Sequence, residues 1–216
     1  MAEENKTSKP VKQTQNVSSN VKLFDKWSFN GIVVVDAGIK PYINLNPIVV
    51  PRTNGYYHNT PFYKTKVNII ERFMNRIAVT GHKGKKHRQS SGHNTGKAKT
   101  HMKIMFDVLL ELERRTKENP IQVLVTAVEN AAPREEVITI ERSGARYAQA
   151  VDMGPQRRVD LVVRYICQGA SYKAFNSEKS IVSALVEDIM DCYNDGDASM
   201  AMSKRNEIEK MAAAAK

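Results

Sequence analysis

The segment from Pro120 to Ala132, PIQVLVTAVENAA, constrains the fold of this chain more than any other. Asn119-Pro120 reads as a helix start: an Asn side chain accepts from the first free amides, and Pro suits the first helical position, where an N–H has no partner to lose. At helical spacing only Gln122, Thr126, Glu129 and Asn130 make a polar face. A helix with so narrow a polar stripe is enclosed by others. It is expected to be the most buried helix of the molecule.

The segments that would enclose it carry the same period. In KTKVNIIERFMNRIAVTG the residues Val67, Ile70, Met74, Ile77 and Ala78 recur on one side, with Lys64, Asn68, Glu71, Arg72 and Asn75 on the other. This helix is expected to start near Pro61 or Phe62 and to stop at Gly81. A second runs to about Lys117, with Ile104, Met105, Val108, Leu109 and Leu112 as its apolar stripe and Glu111–Arg115 as an i, i+4 pair. Pro155 opens another, with Val159, Val162, Val163 and Ile166 inward and Arg157, Arg158 and Arg164 away from that stripe. Ser177 is expected to cap the next, where Ile181, Ala184, Leu185, Ile189 and Cys192 face the core. Asn194-Asp-Gly-Asp197 breaks it, and Ser199 begins a last helix that ends in alanines.

Between Pro133 and Pro155 the period changes from helical to two. Val137–Arg142 and Arg146–Val151 flank Ser143-Gly144-Ala145 and read as a β-hairpin. The fold class is therefore mainly α: a single bundle of about six helices with one projecting hairpin arm, at about 136–152, in a helical domain over 61–216. Ahead of it, residues 1–20 are polar throughout and are expected to be a disordered tail. Residues 21–60 hold the only Trp, the run Gly31-Ile-Val-Val-Val35 and the proline-fenced Pro47-Ile-Val-Val-Pro51. They read as an extended arm with short strands, laid against the helical domain rather than folding alone.

Charge points to the function. From Thr80 to Lys103 the chain has Lys83, Lys85, Lys86, Arg88, Lys97, Lys99 and Lys103, four of its five histidines and no acid. Glycines and a Ser-Ser pair keep most of this stretch from being helical. Between Asp36 and Asp107 thirteen Lys and Arg face a single acid, Glu71, an excess larger than the net +10 of the whole chain. From Glu178 onward acids outnumber bases eight to five. The positive charge is thus local, as an electrostatic footprint for nucleic acid is. A solvated loop without a partner is the plain alternative, although one-signed runs of this length more often mark an interaction segment. Zinc is disfavoured, because His82, His87, His93 and His101 have irregular spacing and neither Cys nor carboxylate beside them.

The hairpin adds Arg142, Arg146, Tyr147 and Gln149: cations for phosphates, a ring to stack on bases and an amide for base edges. Two strands alone are marginal in water, so the arm is expected to be held by something outside the chain. An ordinary surface hairpin whose Tyr packs on a helix fits these residues equally well.

Other classes lack support. No apolar run approaches the ~20 residues that cross a bilayer, and the first residues lack the apolar centre of a secretory signal. Cys167 and Cys192 lie in helical segments and read as buried reduced thiols, which suits a cytoplasmic protein. A nuclease using His87 or His93 as general base would need a partner acid and a formed pocket, whereas these histidines have no packing to fix them. A DNA-binding helical protein is not separated from an RNA-binding one by charge.

Three long motifs, NPIQVLVTAVENAAPREEV (Asn119–Val137), AVDMGPQRRVDL (Ala150–Leu161) and the ending SMAMSKRNEIEKMA, make the chain resemble the universal small-subunit ribosomal protein seven family, called protein five in eukaryotic usage. The likeness runs from about Pro61 to the C terminus. LFDKWS and GHKGKKHRQSSGHNTGK are more like its archaeal–eukaryotic branch than its bacterial one. The resemblance implies a structural protein without catalysis or cofactor, bound to the 3′ major domain of small-subunit rRNA, where it nucleates assembly of the subunit head. It further implies a cytoplasmic, ribosome-bound protein that is not a homo-oligomer and has head proteins as neighbours. Carried over by position, Lys64, Lys66 and Arg76 on the first helix would contact rRNA, together with the basic loop and with Arg157 and Arg158. Arg142, Arg146, Tyr147 and Gln149 would face exit-site tRNA and mRNA. Where bacterial relatives have a Gly-Gly pair followed by Tyr-Gln at the tip, this chain reads Ser143-Gly-Ala-Arg-Tyr-Ala-Gln149.

Overall fold

The computed structural model describes residues 21–83, 86–87 and 92–216. The expected polar tail over 1–20, and Lys85 and Arg88 of the basic stretch, lie outside them. In chain order, β1 (Lys22–Leu23) pairs antiparallel with β2 (Trp27–Ser28), and short 3₁₀ turns at Lys40–Tyr42 and Tyr63–Lys66 precede α1 (Ile69–Ile77). Next come the short pair β3 (His82–Lys83) and β4 (Lys86–His87), then α2 (Ala98–Thr116) and α3 (Pro120–Asn130). The hairpin strands β5 (Glu135–Arg142) and β6 (Ala145–Asp152) lead to α4 (Pro155–Ala174), α5 (Ile181–Tyr193) and α6 (Met200–Ala214). Among the described residues the architecture is a six-helix bundle with a hairpin arm, mainly α.

Helix α3 is enclosed as its narrow polar face requires: Ile121, Val123, Leu124, Val125, Ala127 and Val128 are all fully buried. Asn119 caps it, its side chain accepting from the Ile121 amide at 3.1 Å. Helix α5 packs against α2, α3 and α4. Gly169 of α4 sits tight against both α5 and α6: a Cβ there would come within 2.7 Å of Asp188 Oδ2 of α5 and 2.9 Å of Met200 Cβ of α6. Any larger residue there would force the helices apart. Asp188 itself is fully buried, and Lys173 Nζ of α4 reaches its Oδ1 at 2.5 Å. Both cysteines are buried and free.

The segment before α1 is built into this core. Leu23, Trp27, Phe29, Val34, Ile39 and Ile43 are buried in the same apolar cluster as the helices. Burying side chains of this size stabilises by ~1.5–3 kcal/mol each relative to exposure. Neither valine run forms a strand. Around Val33 the backbone is extended but pairs with a helix side chain: its N–H donates to Gln122 Oε1 at 2.8 Å, and its C=O accepts from Gln122 Nε2 at 3.0 Å. The α3 amide thus does the work of a neighbouring strand, and of the three valines Val33, Val34 and Val35 only Val34 is buried.

Several expectations are corrected. Helix α1 starts eight residues after Pro61, at Ile69, because Asn68 caps it by accepting from the Ile70 amide at 3.0 Å. Lys64 and Lys66 therefore lie on the preceding 3₁₀ turn and not on the helix. Its supposed polar side is buried as well, with Asn68, Glu71 and Arg72 all under 8% exposed, since the N-terminal segment covers it. The α5 cap is Ser180, whose hydroxyl accepts from the Ser183 amide; Ser177 bonds back to the Lys173 carbonyl instead.

Candidate nucleic-acid interface

Two loci gather the cations singled out in the sequence. At the first, the Tyr63–Lys66 turn, α1 and α4 surround a cavity of about 290 Å³ lined by Lys64, Arg72, Arg76, Arg164 and a single acid, Asp160. Asp160 holds two of the cations, Lys64 Nζ at 2.7 Å and Arg72 Nη2 at 2.8 Å. Arg72 is also fixed to the Tyr42 carbonyl, which ties the N-terminal segment to this site. Arg76 donates to the His82 carbonyl at 2.9 Å, where Gln168 of α4 also donates, while its Nε is buried with no partner among the described residues. Burial and the neighbouring Arg164 charge both push the Arg76 pKa below the ordinary arginine value. Arginine stays protonated throughout the accessible pH range, so a half-buried cation remains here in excess of its counter-charge.

The second locus is the start of α2. Lys97, Lys99 and Lys103 are exposed and make no ion pair among the described residues. No acid occupies the first turn of this helix, so the positive end of its dipole adds to the lysine charges instead of being offset. The basic stretch is less of a loop than its composition suggests, since Ala98 onward is helical. His101 is accordingly not an unpacked loop residue: it is 5% exposed. Burial, with the Lys97 charge adding to it, lowers its pKa, so the ring is neutral at pH 7. Lys83 and Lys86 occupy paired positions in β3 and β4.

The adjacent arginines Arg157 and Arg158 part company. Arg157 is exposed and pairs with Glu136 at the base of the hairpin, 2.8 Å away. Arg158 does not lie away from the apolar stripe, as helical spacing suggested: it is 9% exposed. Its Nε donates to the Pro133 carbonyl at 2.9 Å and its Nη2 to Asp36 Oδ2 at 2.8 Å. Burial pushes the Asp36 pKa up, but the Arg158 contact and the Gly38 and Ile39 amides outweigh it, leaving the carboxyl below its ordinary value. Arg158 therefore clamps the N-terminal segment to the hairpin's root.

The hairpin is an eight-pair ladder from Glu135↔Asp152 to Arg142↔Ala145. Its two-residue tip, Ser143-Gly144, has φ of 51° and 79°, the left-handed turn that follows strand twist. Part of what holds the arm lies within the chain: the Ala150 amide donates to Ala215, Lys216 pairs with Glu135, and the Arg134 amide donates to Glu209 of α6. Toward the tip, Arg146, Tyr147 and Gln149 are exposed, Tyr147 at 58%. Among the described residues Arg146 makes only a long 3.4 Å ion pair, with Glu141.

Arg164, which helical spacing places only as away from the apolar stripe, and Tyr63 both line the α1–α4 cavity, and the exposed rings of Tyr56 and Phe62 belong to the stretch that leads into it; none of these four is among the sequence-predicted contacts. The signal was present, since four aromatic residues fall within positions 56–63.

Among the described residues no group of three or more His, Cys, Asp or Glu could hold a metal ion, and no helix is long and apolar enough to cross a membrane. The family described as Ribosomal protein S7p/S5e matches residues 40–216. The chain is 45% identical over 196 residues to the small ribosomal subunit protein uS7 of Nanoarchaeum equitans, covering 91% of this chain and 99% of the relative. The proteins of the same name from Methanosphaera stadtmanae and Methanothermobacter thermautotrophicus are 41% and 40% identical, over 90% and 89% of this chain and 98% of each relative. The likeness thus reaches well upstream of Pro61, into the segment packed on the bundle.

Proposed function

This chain belongs to the Ribosomal protein S7p/S5e family, and we propose from that membership that its exposed cations hold small-subunit rRNA in a fixed geometry. The protein is a structural component of the small ribosomal subunit and not an enzyme. Its partner is a folded polyanion, and the bundle serves to space the charges. Lys66, Lys97, Lys99, Lys103 and Arg157, with Arg76 and Lys64 at the α1–α4 cavity, are the contacts we assign to rRNA. Lys83, Lys85, Lys86 and Arg88 are assigned with them from the charge of their stretch. Arg158 is left to its internal clamp. The RNA region is the 3′ major domain, where the protein nucleates the subunit head beside neighbouring head proteins. The hairpin, through Arg142, Arg146, Tyr147 and Gln149, faces exit-site tRNA and mRNA, and the site of action is the cytoplasmic ribosome.

The observation that carries this reading is the cluster of unpaired lysines at the start of α2, in a chain of this family. Each neutralised phosphate releases counterions, so binding weakens with salt by about 0.7–0.9 log units per contact per tenfold change. A 3′ major domain fragment titrated with the full chain tests this. Changing Lys97, Lys99 and Lys103 together to Ala is expected to flatten the log–log slope by about two while helix content holds. An unchanged slope overturns the assignment of these lysines.

A further inference from the structure

Folding does not account for the exposed rings between Pro51 and Lys66. Tyr56 is 81% exposed, Phe62 72% and Tyr63 39%, whereas Trp27, Phe29 and Phe73 are buried. Phe62 also holds a left-handed backbone, φ 53°, which is uncommon for a bulky residue, and its ring gains no burial in return. Tyr56 and Tyr57 meet edge to face at 5.0 Å, and Lys66 Nζ lies 6.0 Å from the Tyr57 ring. Arg52, Lys64 and Lys66 are the charged residues of the segment, and no acid accompanies them.

Beside these rings lies a cavity of about 350 Å³, walled by Tyr57, His58, Tyr63, Glu71, Asn75 and His101. That size is at the lower end of small-ligand pockets, roughly 300–1,000 Å³. Glu71 and His101 are each 5% exposed, and each keeps one buried polar atom, Oε2 and Nε2, without a partner among the described residues. The other Glu71 oxygen accepts from the amide and hydroxyl of Thr53, at 2.9 and 2.8 Å, which pins the loop over the cavity. A carboxylate accepts from base N–H groups, and a neutral imidazole donates or accepts.

We propose that residues 51–66 form a platform for unpaired RNA bases: the exposed rings of Tyr56 and Phe62 stack on bases, one base enters the cavity, and Arg52 and Lys66 neutralise the phosphates between. Rings grip any base because every base has a π-face, and an adjoining cationic groove tracks the backbone. A protein partner is the poorer fit, since the segment offers cations and no exposed acid. The platform rests on the rRNA-binding reading and adds to it a contact that phosphate neutralisation does not supply.

The test uses the full chain and a short single-stranded oligoribonucleotide carrying 2-aminopurine, against the same strand with abasic sugars. The base-bearing strand is expected to bind roughly tenfold more tightly, with quenched 2-aminopurine emission. Tyr56→Ala with Phe62→Ala is expected to erase that difference while leaving the salt slope and the thermal midpoint unchanged, because both rings are exposed. Ala98→Phe, which adds bulk at the wall of this cavity and not at the α1–α4 cavity, is expected to weaken the base-bearing strand alone. Equal binding of the two strands by the native chain overturns the platform. If folded rRNA still binds in that case, the broader reading stands; if no RNA binds, both fall. Loss of a neighbouring subunit protein from the double variant, with RNA binding intact, also overturns the proposal.

Discussion

The segment before α1 and the β5–β6 arm are both extended chain attached to a helical bundle, yet they are held by different forces. The first is nailed down along its length by Leu23, Trp27, Phe29, Val34, Ile39 and Ile43. Among the described residues the second is tied at its root, by α6, Arg157 and the last residues of the chain. Toward its tip it has exposed polar and aromatic side chains, and its ladder is two strands wide. Extended backbone becomes part of a core where its apolar side chains are covered by the helices; in the arm Ile138 is left 40% exposed, and the tip projects with its side chains free for a partner. Arg158 joins the two regions by gripping Asp36 in one and Pro133 at the foot of the other.

Removing a core side chain from the first region should produce the largest effect. Trp27 is 4% exposed and packs on Phe106 at 5.4 Å, so Trp27→Ala is expected to cost about 3–5 kcal/mol, read as a fall in denaturant midpoint. A change below about 1 kcal/mol would mean that the segment is merely draped on the bundle.

The junction comes next. Arg158→Ala strands Asp36 and the Pro133 carbonyl and is expected to cost about 3 kcal/mol, whereas Arg157→Ala, at an exposed pair, is expected to cost less than about 1 kcal/mol. Equal losses from the two neighbours would erase the distinction between clamp and surface contact. The same junction has an acid signature. The folded Asp36 pKa lies below its unfolded value, so its stabilisation is complete above the ordinary aspartate range and is lost as pH falls through the depressed folded value. Amide exchange near Asp36 should accelerate there, and Arg158→Ala should weaken that dependence, leaving only what the Gly38 and Ile39 amides contribute.

Smallest in stability is the arm itself. Arg146→Ala with Tyr147→Ala is expected to shift stability by less than about 0.5 kcal/mol and to leave rRNA affinity intact, while altering exit-site tRNA occupancy in reconstituted subunits. A stability loss of several kcal/mol would make the tip a folding element, and normal occupancy would remove its assigned role.

Local signals carried much of the fold. Asn119-Pro120, Ser199, the Glu111–Arg115 pair and the alternation on either side of Ser143-Gly144 act over a few residues, and each was legible because its physics is local. Misread were the residues whose fate depends on distant chain. Periodicity put Glu71, Arg72 and Arg158 on solvent faces, since it sees one helix at a time and could not know that residues 36–53 would lie across them. His101 stands in a stretch whose composition predicts mostly loop, yet it is buried, because α2 begins at Ala98.

By itself, then, the chain's linear order determined a helical bundle with a hairpin, the sign and location of its charge, and its family, because helix periods, turn residues and long motifs need no knowledge of packing. Only the tertiary structure decided which cations are spent internally and which remain for a partner. An arginine in a sequence is a charge; whether it reaches phosphate or closes on Asp36 and Asp160 depends on contacts between residues 88 to 122 positions apart.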